Sequence, residues 1–165
     1  MKNREIMSEH LVSCRSNDTL STAAHLMWVH DCGAIPVTDD EGQIVGMITD
    51  RDICMATYIN GSAPQSLRVE SAMAKEVHAV RAEEPIEATE KLMRSKQIRR
   101  VPVLDGDNRP IGLLTLTDLV RHAATARGNN GEEHEMLRTI AAINRPRPTS
   151  IEKARPAALL RRTPS

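Results

Sequence analysis

Two short segments combine residue types suited to binding a nucleotide, and both have the same pattern. The segments 46–52 and 112–118 each contain a glycine, two apolar residues, a threonine, two variable residues and an aspartate. If a strand ends at the threonine and a helix follows, Thr49 and Asp52 lie together at one helix N-terminus, and Thr115 and Asp118 at another. A hydroxyl and a carboxylate placed there suit a vicinal diol such as a ribose. The free N–H groups at the positive helix end favour a nearby phosphate.

The same pattern also fits a structural role. In a capping box, the threonine hydroxyl caps the helix and the acid three residues later bonds back to the cap. Either turn alone favours that interpretation. Retention of Gly, Thr and Asp in both turns favours ligand binding.

The two turns belong to a longer internal repeat. Residues 7–53 align without a gap with residues 73–119, at an offset of 66, and ten of the aligned pairs are identical. Chance would give roughly three identities over this length at ordinary residue frequencies. Two modules of about 50 residues are each marginal alone, so we expect them to pack against each other.

Each copy predicts the element order β-α-β-β-α. In the first copy the pattern predicts strands at 11–14, 34–38 and 43–49, a helix from Thr19 and a second helix from Asp50 or Arg51. The matching strands of the second copy are 100–104 and 110–115, and its second helix is predicted to start at Leu116 or Thr117. The expected organisation is a first repeat at 1–59, a linker at 60–70, a second repeat at 71–126 and an extension at 127–165. Within that extension we expect a short amphipathic helix at 132–143, followed by a disordered basic tail.

With the upstream segments Ile35-Pro36-Val37 and Val101-Pro102-Val103, this pattern resembles the cystathionine-β-synthase (CBS) domain. The chain resembles a stand-alone tandem CBS pair, or Bateman module. This resemblance implies an α/β fold in which two repeats form one pseudo-two-fold module. It also implies two clefts at the junction that take adenosine nucleotides or related adenosyl compounds.

The resemblance implies particular site residues. Thr49 and Asp52 would hold one ribose, and Thr115 and Asp118 the other. Backbone lining the adenine pockets would come from Ser13, Cys14, Gly33, Ala34, Ile35 and Pro36, and from Ala79, Val80, Arg99, Arg100, Val101 and Pro102.

Charge differs between the two copies. Arg51 lies inside the first turn, where the second has Thr117, whereas Arg99 and Arg100 replace Gly33 and Ala34. Such arginines can hold a phosphate by bidentate contact, and in a paired module they could reach the neighbouring ligand. The alternative for each is a solvated surface residue.

The expected function is that of a non-catalytic sensor of AMP, ADP or ATP, or of S-adenosylmethionine or NAD, with no required cofactor. No nucleophile elbow and no phosphate-binding glycine loop is present in the sequence. The six histidines form no metal signature, so no metal site is expected. Only Trp28 and Tyr58 are aromatic. Proteins that bind single-stranded nucleic acid usually stack its bases on aromatic side chains, so this composition disfavours such binding.

Other expectations concern partners and location. Trp28 is matched by Arg94, which indicates an exposed position and predicts a homodimer interface there, with partial burial as the alternative. Three cysteines without a paired spacing predict reduced thiols in a cytoplasmic protein, with redox sensing as a weaker option. The sequence contains no apolar run long enough to cross a bilayer, so no membrane segment is expected. The sequence leaves two further possibilities open: an unidentified protein target, and an adaptor role for the Arg- and Pro-rich tail at 144–165.

Overall fold

The computed structural model describes residues 1–125, 136, 138–140 and 142–143, and it contains two equivalent sets of elements. The first set is β1 (Cys14–Arg15), α1 (Leu20–Val29), β2 (Ala34–Thr38), β3 (Ile44–Thr49) and α2 (Asp50–Asn60). The second set is β4 (Val80–Arg81), α3 (Ile86–Lys96), β5 (Arg100–Leu104), β6 (Pro110–Thr115) and α4 (Leu116–Thr125). The predicted α/β class and the predicted order within each repeat are confirmed.

The two sheets match at the level of single backbone pairs. Each has three strands, the first parallel and the last antiparallel to the central strand. Ala34 pairs with Thr49, and Arg100 pairs with Thr115. Both sheets shift register at the equivalent point of the central strand. The offset of 66 residues therefore applies to the hydrogen-bond ladders as well as to the sequence.

The first strand differs from its predicted range of 11–14. Strand β1 contains only Cys14 and Arg15, which pair in parallel with Val37 and Thr38 at the end of β2. Leu11 and Val12 instead lie on the wall of a cleft between the repeats.

Each repeat has its own apolar core. On α1 the buried residues are Leu20, Ala23 and Met27, which lie on one face as the helical spacing requires. They pack with Ile35, Val37 and Ile48 of the first sheet. The second core is built from equivalent positions, including Met93, Val101, Val103 and Leu114.

The segment that precedes each repeat packs against the other repeat, and we call these two segments the exchanged segments. Ser8 pairs with Leu113 of the second repeat, and Ala74 pairs with Met47 of the first. Ile6 and Met7 pack on the second core, whereas Val69 is completely buried in the first core. Each core is thus completed by the segment that leads into the other repeat.

The glycine of each motif turn allows this exchange. A Cβ atom on Gly46 would lie 2.7 Å from Sδ of Met73 and 2.9 Å from the carbonyl oxygen of Ala74. A Cβ atom on Gly112 would lie 2.6 Å from Sδ of Met7 and 3.1 Å from the carbonyl oxygen of Ser8. Glycine suits both positions because the exchanged segment passes so close that a Cβ atom would force it to shift.

Part of the predicted helix at 132–143 is described and is helical at residues 136, 138–140 and 142–143. Met136 and Ile143 are buried in the second core, and Ile140 packs against it. Gln97 Nε2 donates a hydrogen bond to the carbonyl oxygen of Ala142, at 3.2 Å. The rest of that predicted helix and the predicted tail at 144–165 lie outside the described residues. Among the helices that are described, none has the length and apolar character needed to cross a bilayer.

Candidate functional site

Both motif turns are capping boxes at the start of a helix. Thr49 donates to Oδ2 of Asp52 from its hydroxyl, at 2.7 Å, and from its backbone N–H, at 2.9 Å. The Asp52 N–H donates back to Thr49 Oγ1 at 3.2 Å. Thr115 and Asp118 repeat this arrangement with distances of 2.6, 2.9 and 3.2 Å. The structural role expected of the pattern is therefore present in both repeats.

The capping box uses only one carboxylate oxygen of each aspartate. Within the described part of the chain, Asp52 Oδ1 has no hydrogen-bond partner, whereas Asp118 Oδ1 lies 3.5 Å from Nη1 of Arg121. The position equivalent to Arg121 is Met55 in the first repeat. A carboxylate oxygen has lone pairs for ligand hydroxyl groups. Helix capping and diol binding can therefore coexist on one residue.

The first cleft is a cavity of about 420 Å³ between the Thr49 turn and the second repeat. Its lining residues come from both repeats: Ala34, Met47, Thr49, Asp50, Arg51, Ala74, Glu76, His78, Gln97, Ile98, Arg99 and Arg100. Thr49 and Arg51 thus share a cleft with Arg99 and Arg100. Asp52 is not among the lining residues, and Asp50 occupies the wall instead.

The second cleft measures about 400 Å³ and is also composite. Its lining residues are Ser8, His10, Leu11, Val12, His30, Cys32, Ala34, Ile35, Leu113, Thr115, Thr117, Asp118 and Arg121. Here Thr115 and Asp118 of the second repeat face Ala34 and Ile35 of the first. Ala34 borders both clefts.

Several residues predicted to line the adenine pockets do not border either cleft with their side chains. Cys14, Val80 and Val101 are buried in the two cores, and Pro36 and Pro102 are also buried. Ser13 and Ala79 are not on the walls of the two clefts. A backbone role for these seven residues remains a prediction. Gly33 lies beside the first cleft, where its missing Cβ would be 3.0 Å from Asp50 Oδ2 and 3.5 Å from Arg100 Nη2.

The sequence pattern did not reveal some lining residues. These residues belong to the segments that precede the first strand of each repeat: Glu76 and His78 in the first cleft, and Ser8 and His10 in the second. The only signal available for them was their position just before each predicted first strand.

The two clefts differ in ion pairing. The guanidinium groups of Arg51, Arg99 and Arg100 make no ion pair with any described residue. Glu76 of the same cleft lies 3.4 Å from His78 Nε2 and 3.7 Å from Lys96 Nζ. In the second cleft, Arg121 is paired with Asp118 at 3.5 Å. Available positive charge is therefore concentrated in the first cleft.

The three thiols lie in different environments. Burial, reinforced by the charge of Asp18, raises the pKa of Cys14 to about 12. Cys32 is partly exposed on the wall of the second cleft, and Cys54 is exposed. In the described ranges, no group of three or more His, Cys, Asp or Glu residues is placed to hold a metal ion.

A known family accounts for the repeat. The CBS domain model matches residues 4–58 and again residues 69–125. Hypoxic response protein 1 of Mycobacterium tuberculosis is 31% identical over 143 residues, a match that covers 87% of this chain and 94% of that protein. The chain is thus similar to a protein of comparable length that consists largely of the same pair of repeats.

Solved structures agree with this relationship. The crystal structure of Hypoxic Response Protein I with two coordinated zinc ions superposes with a TM-score of 0.67 at 32% identity, covering 74% of this chain and 98% of that one. The CBS domain pair of protein MJ0100, in complex with 5′-methylthioadenosine and S-adenosyl-L-methionine, gives a TM-score of 0.68 at 27% identity, covering 75% and 96%. The chain belongs to the CBS domain family, as a tandem pair of these domains.

Proposed function

We propose that this protein is a non-catalytic sensor that binds adenosyl compounds in the clefts between its two repeats. One observation carries the proposal: each cleft joins a Thr-x-x-Asp turn of one repeat to strand and entry residues of the other. A related CBS pair, that of MJ0100, was crystallised with two adenosyl compounds. The candidate ligands are AMP, ADP, ATP, NAD and S-adenosylmethionine.

The chemistry of the second cleft suits a nucleoside. Asp118 Oδ1 can accept hydrogen bonds from ribose hydroxyls while Oδ2 stays in the capping box. Leu11, Val12 and Ile35 offer an aliphatic surface for the base. In the first cleft, Thr49 and Arg51 line the corresponding turn, whereas Asp52 lies outside the wall, so its ribose-binding role stays a prediction.

Composite clefts also explain how occupancy is transmitted. A ligand that contacts both repeats stabilises their paired arrangement, and so favours any conformation in which both walls are in place. We propose that this change in stability or shape, rather than a chemical reaction, is the output. The proposed site of action is the cytoplasm, where thiols without disulfide partners stay reduced.

Thermal unfolding tests the proposal. We expect Tm to rise with the logarithm of concentration above Kd for at least one adenosyl compound. Asp118→Ala should reduce that shift, whereas Asp107→Ala, which removes an exposed turn carboxylate, serves as the control. No shift with any of the five compounds at millimolar concentration would overturn the proposal.

We also propose a homodimer that forms through the helices of the first repeat. Trp28 is 87% exposed at the end of α1, and Val29, Met55, Tyr58 and Ile59 are also exposed on α1 and α2. In the second repeat the positions of Trp28, Val29 and Met55 hold Arg94, Ser95 and Arg121. An exposed apolar group of this kind indicates a protein contact, and a self-complementary patch suits a two-fold dimer.

The adaptor role of the tail remains a second hypothesis, and its residues lie outside the described structure. Deletion of residues 144–165 would test it, since an adaptor of this kind should lose salt-sensitive binding to its partner.

A further inference from the structure

We infer that the two clefts take different classes of adenosyl ligand. The first is assigned a nucleoside polyphosphate, and the second an adenosyl compound whose 5′ substituent is uncharged or cationic. This inference rests on the proposed function and adds the ligand class of each site.

Three guanidinium groups converge on the first cleft. Arg51 comes from the N-terminus of α2, and Arg99 and Arg100 from the start of β5 in the other repeat. All three side chains are exposed and have no acidic partner within the described part of the protein. Convergent like charges repel one another until an anion neutralises them. The Arg groups therefore favour a ligand that carries several negative charges.

Neither acidic residue of this cleft forms an ion pair with those arginines within the described part of the chain. Glu76 is engaged by His78 and Lys96. Asp50 Oδ1 accepts a hydrogen bond from the Arg51 backbone N–H at 2.7 Å, which stabilises the first turn of α2. Three separate guanidinium groups offer more donors than a single phosphate can use, so a chain of phosphates matches them best.

The second cleft has the opposite character. At the positions of Arg51 and Arg100 it has Thr117 and Ala34, which carry no charge, and the residue that matches Arg99 is Gly33, which is uncharged and does not line this cleft. Its one arginine, Arg121, lies 3.5 Å from Asp118 Oδ1. A phosphate here would have to separate that pair and lie close to a carboxylate. A thioether or a sulfonium group meets neither obstacle, and the carboxylate attracts a sulfonium.

The other lining residues of the second cleft include two histidines and several aliphatic residues. His10 and His30 border this cleft. The remaining walls are largely aliphatic and include Leu11, Val12 and Leu113.

Isothermal titration of the full chain at pH 7.5 tests the inference with three probes: ATP, 5′-methylthioadenosine and inorganic tripolyphosphate. We expect ATP and 5′-methylthioadenosine to bind together without competition. The double variant Arg99→Ala/Arg100→Ala should weaken ATP and tripolyphosphate by about tenfold or more, since it removes charged hydrogen-bond donors. The same variant should leave 5′-methylthioadenosine unchanged. The matched control Arg121→Ala, which removes an arginine from the second cleft, should leave ATP unchanged.

Competition between ATP and 5′-methylthioadenosine for one site would overturn the inference and leave the proposed function standing. The same holds if the double variant binds ATP and tripolyphosphate as tightly as the wild type does. Absence of binding by both adenosyl probes would overturn the inference, whereas the proposed function falls only if none of its five candidate compounds shifts Tm.

Discussion

Thr89 donates a hydrogen bond from Oγ1 to Oδ1 of Asn3 at 2.7 Å, and both residues are fully buried although they lie 86 positions apart. Asn3 Nδ2 also donates to the carbonyl oxygen of Arg81, at 2.9 Å. The equivalent pair in the first repeat is Val69 and Ala23, which are equally buried. The exchanged segments therefore contribute to a buried polar pair in the second repeat and to a buried apolar pair in the first.

This difference predicts coupling between Asn3 and Thr89. Thr89→Ala leaves the Asn3 oxygen without its donor in a buried place, and should cost about 1–3 kcal/mol of unfolding free energy. The double variant Asn3→Val/Thr89→Ala recreates the pair of the first repeat, so its cost should be well below the sum of the single costs. Recovery should be partial, because the Arg81 carbonyl loses one of its two donors and keeps only the Glu84 N–H, at 3.2 Å. Denaturant unfolding of all four proteins measures the cycle, and strict additivity would contradict the prediction.

The motif glycines should be intolerant of even a methyl group. Gly46→Ala and Gly112→Ala place a Cβ within 3.0 Å of the exchanged segment, and overpacking of this kind costs about 1–3 kcal/mol. Gly106→Ala is the control, because nothing lies within 4 Å of its Cβ position. Equal unfolding midpoints for Gly106→Ala and Gly112→Ala would show that the close approach is not rigid.

The exchange also marks the limit of what the sequence could predict. Strands at 34–38 and 100–104, and the helix starts at Asp50 and Leu116, followed from apolar periodicity and capping signals within one repeat. The exchange depends on contacts between residues distant in sequence, 27 positions apart for Met47 and Ala74 and 105 for Ser8 and Leu113, and the short segments that make them have no periodicity. His78 and His10 were missed as cleft residues for that reason. Thr49 and Thr115 were placed on their cleft walls because strand and helix meet there, which is a local feature.

The buried Cys14 thiol predicts a loss of stability at alkaline pH. Burial and the nearby Asp18 charge raise the pKa of Cys14 from 9.0 to about 12 in the folded protein. Above pH 9 the unfolded chain releases the proton that the folded chain retains, so the stability contribution present below pH 9 is lost as pH rises towards 12. The expected slope from this group is about 1.4 kcal/mol per pH unit.

The variant Cys14→Ala should remove that component, whereas Cys54→Ala, at an exposed position, should retain it. Urea unfolding from pH 8 to pH 10.5 provides the comparison. Parallel stability curves for Cys14→Ala and the wild type would contradict the prediction. The same buried thiol should react with a maleimide far more slowly than Cys54 at pH 7, because the thiolate is the nucleophile.

The proposed dimer predicts that one substitution changes the oligomeric state. Trp28→Arg gives the first repeat the residue that the second repeat has at position 94, and should convert a dimer to a monomer in light scattering after size exclusion. Val120→Ser is the control, since Val120 is a partly exposed apolar residue on α4 of the other repeat. A monomeric wild type, or a Trp28→Arg variant that stays dimeric, would show that the face has another role.

The most direct test of binding in the composite clefts is a crystal structure of the full chain grown with millimolar ATP and 5′-methylthioadenosine. We expect adenosyl density between the repeats, with ribose hydroxyls at Oδ1 of Asp118 in the second cleft and phosphates at Arg51, Arg99 and Arg100 in the first. Empty clefts under these conditions, or ligand density that contacts one repeat alone, would contradict the account.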